Sequence, residues 1–133
     1  ELTALALAGL LQVLQLVIMT IPANLQLGLR KTLGSRDMST SGSLLFAELQ
    51  PRTARLFRAF NNHFEGLIFF TIAVVVTTLS GKSSEATQMA AYIYLAARIA
   101  YVPAYFFGLN PWRSVIWFAG FGATVFILVI SIL

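Results

Sequence analysis

Three stretches of this 133-residue chain cross-check against the thickness of a bilayer: residues 2–29 carry no charge, residues 86–107 carry only Arg98 beyond neutral side chains, and residues 114–133 carry none. An α-helix rises about 1.5 Å per residue, so roughly 20 apolar residues span the hydrocarbon core. A fourth stretch, residues 66–80, is uncharged over a shorter length and must borrow the turns that precede it. Lipid offers the backbone no hydrogen bonds, so each segment has to satisfy its own N–H and C=O groups. The expected fold is therefore all-α: an integral membrane bundle of four helices.

Composition points the same way. Hydrophobic residues make up 58% of the chain and charged residues 11%, where a soluble domain is about a quarter charged. Four spans with short loops use the whole length, so residues 1–133 are expected to form a single domain. The first span follows no basic residue and outruns the apolar core of a signal peptide, which predicts a retained helix. The chain has no cysteine, which excludes disulfides and thiolate chemistry of its own, and His63 is its sole histidine. No conventional metal centre is expected.

The net charge of +4 does not imply nucleic acid. Arg30, Lys31, Arg36, Arg52, Arg55 and Arg58 lie in or beside the first loop, Arg113 opens the last span, and Lys82 stands alone in the second loop. Basic residues collect on the cytoplasmic side of membrane proteins, so the first and third loops are expected there, with the second loop and both termini outside. The first loop, residues 30–51, is small and polar. The second, residues 81–85, is tight, with Ser83 or Ser84 placed to cap the third helix. In the third, residues 108–111, Pro111 falls at or just before the first turn of the last helix, and Trp112 suits the headgroup level. Short links make successive helices antiparallel neighbours.

Polar residues inside these segments fall at helical spacing. Arg55, Arg58, Asn62 and Glu65 sit at offsets of 3, 7 and 10, a charged ladder on one face that runs into the second span. Tyr94, Arg98, Tyr101 and Tyr105 follow at offsets of 4, 7 and 11 on the third, where Pro103 is expected to bend the helix. On the first helix Gln12, Gln15, Gln26 and Arg30 keep a similar period. Glutamines and tyrosines in spans commonly tie helices together, at roughly 0.6–2 kcal/mol per bond, and His63, off the ladder's face, reads as a helix contact. Arg55 and Arg58 also fit a solvated first turn. Glu65 and Arg98 are different, because each charge inside a span costs about 2.5–3.5 kcal/mol on insertion scales. They must pair, hold a ligand, or both.

The run Arg55-x-x-Arg58-Ala59-x-x-Asn62-x-x-Glu65-x-x-x-Phe69 resembles the signature of the MAPEG family, the membrane-associated proteins in eicosanoid and glutathione metabolism. The segment from Ala97-Arg98 through Tyr101 to Tyr105, followed by Arg113-Ser114, is similar to that family's second motif, and the wording is closest to its small bacterial branch. The resemblance implies an inner-membrane homotrimer that binds glutathione as co-substrate between subunits near the cytoplasmic end. Arg30, Arg58, Asn62, Glu65, Arg98, Tyr101 and Tyr105 would line the site, with Arg55 counted among the binding residues. Arg113 would face the thiol, with Ser114 as a rival hydroxyl donor.

That chemistry is sensible in itself. Arginines hold carboxylates bidentately, and Glu65 could accept an ammonium. The implied activity is a microsomal-type glutathione transferase or peroxidase acting on lipophilic electrophiles or hydroperoxides from the membrane lipid. The chain departs from many eukaryotic members at Gly28, where they have arginine, and at Ile68, where they have proline. A noncatalytic lipid-binding scaffold of the same fold is the alternative. A proton-coupled drug carrier fits less well, since Glu65 has arginines within reach as partners.

Overall fold

The computed structural model describes residues 1–27 and 50–133. Gly28, Arg30 and the first loop up to residue 49 lie outside the described residues. Four α-helices follow one another: α1 Leu2–Leu27, α2 Pro51–Leu79, α3 Glu85–Phe107 and α4 Trp112–Ile132. All four are long and apolar enough to cross a membrane. The ladder and residues 66–79 form one continuous helix, so the short fourth stretch does borrow the charged turns before it.

Local chemistry sets the helix ends. Pro51 occupies the first turn of α2, where its missing N–H costs no hydrogen bond. Of the two serines offered as caps, Ser84 is the one used: its hydroxyl accepts from the Thr87 N–H at 3.2 Å, and Thr87 Oγ1 accepts from the Ser84 N–H at 2.8 Å. Both connections leave their helices through a glycine with positive φ, Gly81 at 70° and Gly108 at 69°. The Gly81 and Lys82 amides return to the carbonyls of Thr78 and Thr77, and those of Gly108 and Leu109 to Tyr105 and Ala104. A side chain at either position would strain this left-handed closure. α3 runs uninterrupted through Pro103, as α1 does through Pro22.

α2 and α3 each pack against all three other helices, with α1 and α4 to either side. At the centre Phe70 stacks on Tyr94 with ring centroids 3.8 Å apart. Ala4, Ala8, Ala73, Ala90, Ala91 and Ala123 surround the pair. Helices in lipid gain little from the hydrophobic effect, and small residues let their backbones approach closely enough for dispersion to hold them. The large apolar side chains face outward instead, among them Leu10, Val13, Leu14, Phe118 and Ile132.

The glutamines of α1 tie it to α2. Gln26 Nε2 donates to Thr53 Oγ1 at 2.8 Å, Gln12 Nε2 donates to the Phe60 carbonyl at 3.4 Å, and Gln15 Oε1 lies 3.0 Å from His63 Nδ1. The stripe is interhelical bonding, and the fully buried His63 is a helix contact.

Candidate functional site

Asn62 on α2, Tyr101 and Tyr105 on α3, and Arg113, Ser114, Trp117 and Phe118 on α4 line a cavity of about 250 Å³. A smaller cavity of about 90 Å³ adjoins it, sharing Asn62 and Trp117 and adding Glu65, Gly66, Phe69, Arg98, Phe121 and Thr124. The polar stripes of α2 and α3 therefore meet at the start of α4. Asn62, Glu65, Arg98, Tyr101, Tyr105, Arg113 and Ser114 are brought together.

The cations are held by aromatic faces and one amide. The Arg113 guanidinium lies 4.9 Å from the Tyr105 ring centroid, and the Tyr105 ring is 5.4 Å from that of Tyr101. Arg98, only 3% exposed, lies 5.0 Å from the Tyr94 ring and 5.9 Å from that of Tyr101, and its Nη1 donates to Asn62 Oδ1 at 3.0 Å. Arg113 sits in the first turn of α4, where the helix's positive end adds to its charge. Two arginines against one carboxylate, Glu65, give the paired cavities a bias toward anions.

Two ladder residues stand apart from the cavities. Arg55 Nη1 donates to the Phe106 carbonyl at 3.3 Å, and a Cβ built at Gly108 would lie 2.8 Å from the same nitrogen. Arg55 thus closes the C-terminus of α3, where a cation is favoured. Arg58 is exposed on the same helix and has no hydrogen-bond or ion-pair partner among the described residues. Arg30 lies outside the described residues.

Glu65 and Arg98 border the same small cavity, yet no direct ion pair joins them: Arg98 turns to Asn62. Neutralising Glu65 and Arg98 singly and together in the ligand-free protein should therefore show a coupling of at most about 1 kcal/mol, from the shared cavity and not from an ion pair. Unfolding in detergent measures this, and a coupling of several kcal/mol would restore the direct pair.

The sequence stripes missed the wall of α4. Trp117 and Phe121 stack with centroids 5.2 Å apart and planes 7° from parallel, and both face the cavities. The spacing Arg113, Trp117, Phe121, Thr124 is a helical face that begins on a candidate residue, and this was the available signal. Among the described residues no three His, Cys, Asp or Glu side chains cluster as metal ligands would.

The lining suits an anionic ligand with an apolar neighbour: it combines the cations Arg98 and Arg113, the tyrosines Tyr101 and Tyr105, and the aromatic residues Trp117, Phe118 and Phe121. Compared with known proteins, the chain matches the model of the MAPEG family over residues 4–133, essentially its whole length. Neither a curated protein nor a solved structure gives a match.

Proposed function

The chain belongs to the MAPEG family, and on that premise we propose that it binds glutathione in the cavity between α2, α3 and α4 and transfers it to, or uses it to reduce, a lipophilic electrophile or hydroperoxide from the bilayer. One observation carries this: Asn62, Tyr101, Tyr105, Arg113 and Ser114, drawn from three helices, converge on a single cavity. Glu65 offers an acceptor for an ammonium, and Arg58, exposed on the same face of α2 outside the cavities, would offer a fork for a carboxylate that extends beyond them. Arg113 faces the thiol, where its cation favours the thiolate. Trp117 and Phe118 give the co-substrate's partner an apolar surface.

The assembly proposed is a homotrimer. A closed small-molecule site usually encloses about 300–1,000 Å³, and the larger cavity holds about 250 Å³ and is not enclosed. A neighbouring subunit would complete it. The membrane proposed is the bacterial inner membrane, with the first and third loops cytoplasmic on the strength of their basic residues. Because the chain has no cysteine, one placed at the exposed Ser83 should react with an impermeant reagent from outside, and one at Asn110 should not. The reverse pattern overturns the orientation.

Calorimetric titration of the detergent-purified protein with glutathione tests the central proposal, and heat-silent titration by an intact trimer would reject it. The second reading, a noncatalytic lipid-binding scaffold, draws support from an apolar groove of about 500 Å³ between α3 and α4, bordered by Met89, Ile93, Gly122 and Phe126.

A further inference from the structure

Arg98 reaches Asn62 through a gap that glycine leaves. A Cβ built at Gly66 on α2 would overlap Arg98 Nη2 and come within 2.9 Å of Cζ, closer than real Cβ contacts allow. On the α4 side, a Cβ at Gly120 would stand 3.8 Å from Arg98 Nε. The guanidinium is thus threaded between two glycine-bearing helices. Any side chain at Gly66 would push it out of line with Asn62.

The bond it makes there fixes a direction. Arginine has donors and no acceptor, so the atom of the Asn62 amide that meets Nη1 at 3.0 Å must be the oxygen. The amide nitrogen is turned the other way. Asn62 lines both cavities, whereas Arg98 borders only the smaller. Without that donor the amide could rotate by half a turn at little cost and present lone pairs where it now presents N–H groups.

We propose that Arg98 is a positioning residue: admitted by Gly66, it locks Asn62 so that the amide N–H groups face the cavity of Arg113 and donate to a carboxylate or peptide carbonyl of the bound tripeptide. This deepens the glutathione reading and rests on it. It separates the roles of two arginines, Arg113 meeting the ligand and Arg98 acting through Asn62. Gly66 is then required by the side chain it accommodates as well as by helix packing.

Calorimetry on Arg98→Met tests the idea, since methionine keeps apolar bulk and removes every donor. Glutathione should bind roughly tenfold more weakly, as expected when a donor is misdirected. In an Asn62→Ala background the same change should alter affinity less than twofold. An equal loss in both backgrounds would show direct contact between Arg98 and ligand and overturn the proposal.

A ligand-free readout separates failure here from failure of the glutathione reading. The Asn62 side-chain amide signal, identified by its loss in ¹⁵N-labelled Asn62→Ala in micelles, should move in both Arg98→Met and Gly66→Ala. A signal unmoved in either folded variant rejects the lock. If the wild type binds no glutathione, the proposed function falls, and with it the ligand role of Asn62, while the amide signal still decides whether Gly66 and Arg98 set its direction.

Discussion

Replacing Arg113 with alanine is expected to leave glutathione bound within a fewfold of wild-type affinity and to lower turnover at neutral pH about twenty-five-fold, the fall in thiolate fraction at pH 7 when a pKa of about 6.5 returns to about 8.5. A cysteine-type thiol has a reference pKa near 8.5, so a largely ionised thiolate at pH 7 needs a downward shift of roughly two units, or about 2.7 kcal/mol. Arg113 has the means: its guanidinium rests 4.9 Å from the Tyr105 ring centroid, and it lies in the first turn of α4. Both its charge and the helix end favour an anion. The sign follows. A lowered thiol pKa supplies reactive thiolate above that pKa, so losing Arg113 removes activity at neutral pH and restores it as the medium becomes alkaline. A thiolate absorbance should appear when glutathione is added to the wild type at pH 7, and in Arg113→Ala only at higher pH. Ser114 lines the same cavity and could donate its hydroxyl to the same sulfur. Full turnover in Arg113→Ala with none in Ser114→Ala would exchange their roles.

The helices were legible because lipid leaves the backbone so few options. Charge-free length set the spans, and the ladder could extend the short one because helical offsets already placed Arg55, Arg58, Asn62 and Glu65 on one face. The choice between Ser83 and Ser84 was also written locally, in the hydroxyl of Thr87 three residues after Ser84. Spacing within a helix says nothing of what the neighbouring helix presents at each level. Arg55 keeps the ladder's period and yet meets the Phe106 carbonyl at the end of α3. Arg98, equally periodic, meets Asn62 one turn short of Glu65. In both cases the partner is a group that periodicity cannot rank, a backbone carbonyl or a neutral amide. Trp117 and Phe121 escaped for another reason: on a span rich in aromatic residues, a cavity wall and a lipid-facing belt have the same composition. Gly66 was hidden because its contribution is the space that a side chain would occupy.

In mild detergent the protein should have the mass of three chains, and the charges on α2 are the reason a lone protomer is disfavoured. Arg58 and Glu65 are both exposed, and Glu65 stands among exposed Phe64, Ile68 and Phe69 in the body of a membrane-spanning helix. A charge presented to lipid costs on the order of 2.5–3.5 kcal/mol on insertion scales, and long side chains near the headgroups escape part of that cost by reaching for water. Glu65, with its short side chain some fourteen residues into α2, has less freedom to do so. A second subunit covering this face would take the Glu65 carboxylate out of lipid. An exposed carboxylate in a span favours a neighbour, and three copies are what the proposed homotrimer predicts. Assembly and ligand binding should then fail together. Glu65→Lys, which places a third cation beside Arg98 and Arg113, is expected to shift the native mass toward monomer and to abolish glutathione binding. A wild-type monomer that still binds glutathione would show that one protomer makes the whole site.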